Sequence, residues 1–294
     1  MPGPIGVTPA PLRPTTPGAT PPKTVDTSAI DVNGAEFKKL PPSWQQAVRD
    51  AKAFSAANFR GMTPAPKVLV TAAASNGQAP VSVIVPPNAQ APFSLQTHYH
   101  GDGARSLANN PAADAIATQV KRGDSTVFVL PEAAKPGAPT DWTNVRRIGD
   151  TTTEALSGAG LTGDVGQRTL SVHSAGGRAL MYALKNGESL KADRLVIQDA
   201  LFESNSGRGA ATFLKQQLPQ ATAGVGRITL VPSTGPGAAG LMKDLDEPSL
   251  TRTQVLAREL KAAGRTVDVV NVGTHDDAAK QLAPKAGARD GWVP

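Results

Sequence analysis

From residue 67 onward, short runs of β-branched and apolar residues alternate with segments of helical pattern, and this alternation limits the folds open to the chain. Eight runs have the length and composition of buried strands: 67–71, 81–85, 93–97, 126–130, 168–172, 195–198, 228–231 and 266–272. The first three follow one another closely and predict a meander. Helical segments separate the later ones, which favours an α/β fold with a mostly parallel, roughly eight-stranded sheet and helices on both faces.

The helical segments carry recognisable start and stop signals. Thr151 is followed three residues later by Glu154, a pattern typical of a capping box. The segment 249–263 ends before Gly264, which suits a helix C-terminus. Further helices are expected at 110–120, 174–185 and 210–218.

The sequence before residue 67 divides into two parts. Eight of the chain's 26 Pro fall in residues 1–24, a density that predicts disorder, so we expect 1–34 to be a Pro-rich tail. Apolar residues such as Trp44 recur every three or four positions in 35–60, which predicts a helical preface (35–66) packed on the main domain, 67–294. The tail lacks the apolar block of a secretory signal. Localisation therefore stays open between the cytoplasm and export without a conventional signal.

Composition excludes several classes of protein. The chain has no Cys, which excludes a disulfide framework, a Cys-ligated metal site and a cysteine nucleophile. Its 30 Lys and Arg against 24 Asp and Glu are scattered and not interleaved with aromatic residues, so nucleic acid is not expected as a partner. No apolar run is long enough to span a membrane.

The first candidate site residue is a serine that follows the predicted strand 168–172. In Val172-His173-Ser174-Ala175-Gly176 the chain passes from this strand into an Ala- and Leu-rich helix. A serine at such a turn presents its hydroxyl above the sheet, and the helix N-terminus favours developing negative charge. The simpler alternative is that Ser174 only caps the helix.

A second group of candidates follows the third predicted strand: His98, His100, Gly101 and Asp102. A glycine here allows a backbone N–H to face a substrate oxygen without a side chain in the way. Alternatively, His-x-His-x-Asp on an extended segment could direct three ligands at a zinc or manganese ion. No other His-containing cluster completes such a site, so the backbone role is favoured over a metal.

A histidine and an acid follow the later strands. His275, the last of four His, lies in the loop after the final predicted strand. Asp199 comes directly after mostly apolar strand residues, where a carboxylate needs a partner and an imidazole N–H would serve. Asp244 and Asp246 are the reserve candidates for the acid. A structural acid that caps the next loop is the alternative for Asp199.

In this order, the motifs resemble the α/β-hydrolase superfamily of serine esterases, lipases and peptidases over about residues 67–294. The turn at Ser174 is similar to the nucleophile elbow Gly-x-Ser-x-Gly, with Val172 in place of the first small residue. The resemblance implies a catalytic triad of Ser174, Asp199 and His275, in the chain order of that fold.

The resemblance also implies how such a site works. Backbone N–H groups of Ala175 and of the Gly101–Asp102 region would hold the oxyanion. The implied activity is hydrolysis of a carboxylic ester through an acyl-enzyme, on a small-molecule acyl substrate and without a cofactor. A peptidase or amidase with the same triad and a non-catalytic binding module on the same fold are the alternatives. The sequence does not indicate the oligomeric state.

Overall fold

The computed structural model describes residues 24–133, 142, 145, 147–201 and 210–282. The strands are β1 (Thr24–Asp26), β2 (Lys67–Ala72), β3 (Pro80–Val85), β4 (Phe93–Tyr99), β5 (Val127–Pro131), β6 (Val165–His173), β7 (Arg194–Gln198), β8 (Arg227–Val231) and β9 (Val267–Val269). The helices are α1 (Ala35–Lys38), α2 (Pro42–Phe59), α3 (Pro111–Lys121), α4 (Ile148–Gly158), α5 (Gly177–Lys185), α6 (Ala210–Ala221), α7 (Arg252–Ala262) and α8 (His275–Lys280).

The strands form one sheet in the order β1-β2-β3-β5-β4-β6-β7-β8-β9. In this order, every neighbouring pair from β5 to β9 is parallel, whereas the pairs β1–β2, β2–β3 and β3–β5 are antiparallel. The predicted α/β class with a mostly parallel sheet is therefore confirmed, with nine strands in place of about eight. Within the described residues, no helix is both long and apolar enough to cross a membrane.

Alternate residues of each central strand enter opposite cores, which puts helices on both faces of the sheet. On one face, Phe128 and Val70 belong to a buried cluster that also holds residues of α1, α2 and α3. On the other face, Val129 and Leu69 lie in a cluster with residues of α4. Farther along the sheet, the cluster around Ile197 contains residues of α5, α6 and α7. This two-sided burial explains why the strands are near-continuous apolar runs.

The segment before residue 67 differs in part from the expectation. Residues 1–23 of the predicted tail lie outside the described residues. Residues 24–34 were expected to be disordered with them, but Thr24–Asp26 forms the edge strand β1, paired with β2. Val25 is buried between two more polar neighbours, and its burial holds this segment on the sheet. The number of Pro residues in the tail gives no indication of this contact. In the preface, Trp44 is buried in one cluster with Val70 of β2.

Two predictions about local structure are wrong. The first three predicted strands do not form a meander, because β5 lies between β3 and β4. Residues 86–92, which join β3 to β4, contain three Pro and cannot form a two-residue hairpin turn. The capping box at Thr151 is also wrong, because α4 begins at Ile148 and Thr151 lies inside it. There Glu154 accepts a hydrogen bond from the Ser75 N–H at 2.8 Å.

Parallel pairing aligns the carboxyl ends of the central strands. His173, the last residue of β6, lies opposite Gln198 of β7, and Gln198 lies opposite Val231 of β8. Tyr99, the last residue of β4, lies opposite Val172. The segments that follow these strands therefore meet at one edge of the sheet, which is where binding sites form in open α/β folds.

We expect Trp44→Ala to lower the free energy of unfolding by about 3–5 kcal/mol, because the indole is fully buried and its loss leaves a cavity. Guanidinium denaturation followed by far-UV circular dichroism measures the change. A single shifted transition is predicted, since α2 shares its core with β2. The exposed position Ala56, changed to Ser on the same helix, should alter stability by less than about 0.5 kcal/mol. A separate early transition for the helical preface would contradict a shared core.

Candidate active site

Ser174 occupies a sharp turn between β6 and α5. Its φ is +50°, in the left-handed region that residues with a side chain rarely adopt. A Cβ at position 176 would overlap the carbonyl oxygen of Tyr99, and one at position 177 would lie 2.7 Å from the carbonyl oxygen of Ala200. The small residues Gly176 and Gly177 are therefore required by the space between strand and helix.

Val172 does not crowd this turn. Its side chain is fully buried in β6, where it belongs to the cluster shared with α5, α6 and α7. The close approach comes instead from the loop after β4. A Cβ at position 101 would lie 2.8 Å from the Cβ of Ser174 and 3.3 Å from its Oγ. Only glycine at 101 lets the backbone come this near to the serine hydroxyl.

His275 and Asp199 are joined by a short hydrogen bond. The distance from His275 Nδ1 to Asp199 Oδ2 is 2.6 Å. The Asp199 side chain is 1% exposed, whereas that of His275 is 41% exposed and reaches the surface. Asp199, like Ser174, has a left-handed backbone, with φ of +46°. Such strained residues cluster at functional sites.

The surroundings keep Asp199 ionised. Burial alone would raise the pKa of its carboxyl, but hydrogen bonds from His275 and from Ser233 outweigh burial and lower the pKa. Ser233 Oγ donates to Oδ2 at 2.6 Å, and the Gly240 N–H approaches Oδ1 at 3.4 Å. Because an ionised carboxylate only accepts hydrogen bonds, Nδ1 of His275 carries a hydrogen and Nε2 is left as the basic nitrogen.

His173 connects the turn at Ser174 to the start of α8, where His275 lies. Its Nε2 lies 3.1 Å from the carbonyl oxygen of His275, to which it donates a hydrogen bond. The two imidazole rings are 4.4 Å apart between centroids. Burial, followed by the nearby charge of His275, lowers the pKa of His173 to about 3. His173 is therefore neutral and acts as a fixed donor beneath His275.

The reserve acids lie in a different cluster. Lys215 Nζ is 2.8 Å from Asp244 Oδ1 and 3.2 Å from Asp246 Oδ2. Among the three candidate acids, the hydrogen bond to His275 belongs to Asp199. The geometry therefore favours Asp199 as the acid.

The arrangement of His98, His100 and Asp102 does not resemble a metal site. His98 Nδ1 is 3.0 Å from Ser171 Oγ, and His100 Nδ1 is 2.9 Å from the carbonyl oxygen of Gly101. In the part of the chain that the structure describes, no group of three or more His, Asp or Glu side chains could hold a metal ion.

An open pocket of about 550 Å³ lies in front of these residues. It is lined by Gly101, Asp102, His173 and His275, and also by Leu107 and by residues at the start of α3. This volume is in the range of pockets that hold small molecules. The predicted oxyanion residues Gly101 and Asp102 therefore open onto the same space as the predicted base.

Three residues that contact the candidate site residues were not identified from the sequence: His173, Ser233 and Glu132. Ser233 lies two residues after β8, at the same edge of the sheet as Ser174 and Asp199, so its position was a usable signal. His173 stands directly before Ser174 and was noted only as part of the motif. Glu132 follows β5 and lies 3.6 Å from His100, but an isolated glutamate after a strand has no distinctive pattern.

Comparison with known proteins finds similar solved structures at low sequence identity. The chain is similar to an S-formylglutathione hydrolase from Agrobacterium tumefaciens, with 12% identity and a TM-score of 0.46 over 74% of this chain and 96% of that one. It is also similar to a thermostable esterase from Pseudomonas putida ECU1011, with 16% identity and a TM-score of 0.45 over 86% and 88%. A third similar structure is Porphyromonas gingivalis dipeptidyl peptidase 4, with 13% identity and a TM-score of 0.43 over 71% and 32%.

No protein-family model matches the chain, and no curated protein matches it. The strand pairing itself shows the mostly parallel α/β sheet, and the resemblance to the α/β-hydrolase superfamily stays a prediction. At these levels of identity the similar structures do not identify an activity. The interpretation of the site therefore depends on its own geometry.

We expect Asp244→Asn to lower the free energy of unfolding by about 3 kcal/mol at pH 7, because it leaves Lys215, whose side chain is only 11% exposed, facing a neutral amide. Burial would raise the pKa of Asp244, but the hydrogen bonds from Lys215 and from backbone N–H groups lower it. A lowered folded-state pKa stabilises the fold above the unfolded value of about 4, and this stabilisation is lost as the pH falls.

Denaturation at a series of pH values checks this expectation. The difference between wild type and Asp244→Asn should be full near neutrality and shrink below about pH 4. Asp246→Asn is the matched control, because the Asp246 side chain is more than half exposed and its loss should have little effect. A difference that does not change with pH would contradict a charge-based stabilisation.

Proposed function

We propose that this chain is a serine hydrolase that cleaves a carboxylic ester through an acyl-enzyme intermediate. Ser174 is the nucleophile, His275 the general base and acid, and Asp199 the carboxylate that orients the histidine. The observation that carries the proposal is the 2.6 Å hydrogen bond between His275 Nδ1 and Asp199, at the edge of the sheet where Ser174 occupies its strained turn.

In the proposed reaction the two ring nitrogens of His275 have different roles, which follow from the hydrogen bond to Asp199. Nδ1 donates to the ionised Asp199, so Nε2 has the lone pair that accepts the proton of the Ser174 hydroxyl. As Ser174 Oγ bonds to the ester carbonyl carbon, the imidazolium is stabilised by the buried carboxylate. Nε2 then returns the proton to the departing alkoxide, which leaves as an alcohol. Water repeats the sequence on the acyl-enzyme and releases the acid.

The negative charge that develops on the carbonyl oxygen needs donors near Ser174. The Ala175 N–H belongs to the residue directly after the serine. The backbone at Gly101 lies so close to Ser174 that a Cβ on residue 101 would be 3.3 Å from the Ser174 Oγ. Backbone donors fixed in advance stabilise such an oxyanion without reorganisation during the reaction. Together with the N–H of Asp102, these groups are the proposed oxyanion hole.

An ester is the proposed substrate class because the alkoxide of an ester departs more easily than the amine of an amide. The 550 Å³ pocket beside His275 has room for a small acyl or alcohol group. None of the proposed steps requires a cofactor. The pocket is therefore the proposed site of a small-molecule acyl substrate.

Ser174→Ala should abolish labelling by a fluorophosphonate probe and reduce ester hydrolysis on the order of 10⁵-fold or more, because it removes the nucleophile. In-gel fluorescence and the hydrolysis of short-chain 4-nitrophenyl esters measure the two effects. Ser157→Ala, an exposed serine on α4, serves as the control and should label like wild type. A well-folded wild-type protein that does not label would rule out the hydrolase.

Asp199→Asn should reduce kcat/KM by about 10⁴-fold, because the amide no longer supports the charge on His275. Asp244→Asn is the matched control, an acid-to-amide change at another buried aspartate. It should keep kcat/KM within tenfold, measured at a temperature where the variant remains folded. The acid assignment would be wrong if the two variants exchanged these effects.

A further inference from the structure

The side chains of His100 and Glu132 form a buried ionisable pair next to the Gly101–Asp102 peptide. The steps proposed above do not use this pair. His100 follows the last residue of β4, and Glu132 follows the last residue of β5. Their side chains are 2% and 3% exposed, and His100 Nε2 is 3.6 Å from Glu132 Oε2. Long charged side chains are rarely buried to this extent without a specific role or partner.

The other ring nitrogen of His100 binds the backbone of the 100–103 loop. His100 Nδ1 lies 2.9 Å from the carbonyl oxygen of Gly101. Because a carbonyl oxygen can only accept, Nδ1 is the donor in this bond. The imidazole therefore holds the Gly101 carbonyl toward the buried side of the loop.

Peptide geometry transmits this hold to the neighbouring donor. The carbonyl of Gly101 and the N–H of Asp102 belong to one planar trans peptide unit, in which the two bonds point in opposite directions. A Gly101 carbonyl that is bound from the buried side therefore turns the Asp102 N–H to the opposite side. Gly101 and Asp102 both line the pocket beside His275.

Glu132 is itself fixed by neighbouring donors. Its Oε1 accepts hydrogen bonds from the Ser106 N–H at 2.9 Å and from Ser106 Oγ at 2.5 Å. Ser106 Oγ is 3.0 Å from Ser82 Oγ of β3, which ties the carboxylate to the next strand of the sheet. Burial would raise the pKa of Glu132, but the neighbouring His100 imidazole and the hydrogen bonds from Ser106 outweigh burial and lower it.

Other charged and aromatic groups surround His100 and Glu132, and they are consistent with a His100 imidazole held in one position. His98 of β4 and His173 of β6 both interact electrostatically with His100, and burial lowers the pKa of each. The Trp142 ring lies 4.8 Å from the His100 ring between centroids. Asp50 of α2 is the second carboxylate near Glu132, and Arg105 pairs with it at 2.6 Å.

We propose that His100 and Glu132 are a positioning pair that orients the Gly101–Asp102 peptide for stabilisation of the oxyanion. The Glu132 carboxylate lies 3.6 Å from Nε2 of the imidazole, Nδ1 donates to the Gly101 carbonyl, and the peptide plane directs the Asp102 N–H. The inference rests on the proposed hydrolase function. Neither residue touches the substrate in this scheme.

Two substitutions of His100 separate its nitrogens. In His100→Asn the amide nitrogen branches from Cγ, as Nδ1 does, and can still donate to the Gly101 carbonyl. In His100→Gln the amide lies one carbon farther out, toward Glu132, and the bond to Gly101 is lost. Glu132→Gln keeps the size of the side chain and removes its charge. His98→Asn is the matched control. His98 is a buried histidine of β4, two residues before His100, and its Nδ1 lies 3.0 Å from Ser171 Oγ.

The readout is kcat per active site, with the active sites counted from the acyl-enzyme burst of a 4-nitrophenyl ester. His100→Gln should lower kcat per titrated site about 10²-fold with KM changed less than threefold, as expected for a lost transition-state interaction. His100→Asn should stay within tenfold of wild type, and Glu132→Gln should fall about tenfold. His98→Asn should turn over at the wild-type rate per titrated site.

A purely structural role gives a different result. It would reduce the number of titratable sites in His100→Gln and leave kcat per site unchanged, which would overturn the positioning pair alone. Equal losses in His100→Asn and His100→Gln would also overturn it. A folded wild type that neither hydrolyses the ester nor labels with the fluorophosphonate probe would overturn the hydrolase proposal and the positioning pair with it, so the two failures are distinguishable.

Discussion

The parallel register of the central strands is the constraint on which the candidate site depends. Because His173, Gln198 and Val231 lie side by side, the residues that follow β6, β7 and β8 begin at the same height on the sheet. Ser174 and Asp199 are therefore neighbours in space although 25 residues separate them in the sequence. A slip of one residue between two strands would move each side chain to the opposite face and separate these groups.

At this edge of the sheet the backbone is strained and the candidate site residues lie close together. Buried hydrogen bonds maintain both features. Ser174 and Asp199 adopt left-handed backbone angles that residues with side chains rarely tolerate. His173 donates to the carbonyl of His275, and Ser233 donates to Asp199, so the candidate triad is supported from beneath at two points. Partners of this kind fix the rotamers of functional side chains, because a buried polar group without a partner is costly.

The sequence predicted the features that depend on local pattern. The strand cores and the end of α7 before Gly264 follow from periodicity and from residues with special backbone preferences. Long-range pairing has no such local signal, so the insertion of β5 between β3 and β4 was missed. The candidate residues Ser174, His275 and Asp199 came from position at strand ends and from resemblance. Their supports His173, Ser233 and Glu132 became visible only when the fold brought them together.

The central claim is that Ser174 carries the acyl group during turnover. The most direct measurement is peptide mapping by mass spectrometry after a 4-nitrophenyl ester reaction is quenched in acid during the burst. We predict a single acyl group on the peptide that contains Ser174, and none in Ser174→Ala. An acyl group on a different residue, or turnover without any acylated peptide, would contradict the proposed mechanism.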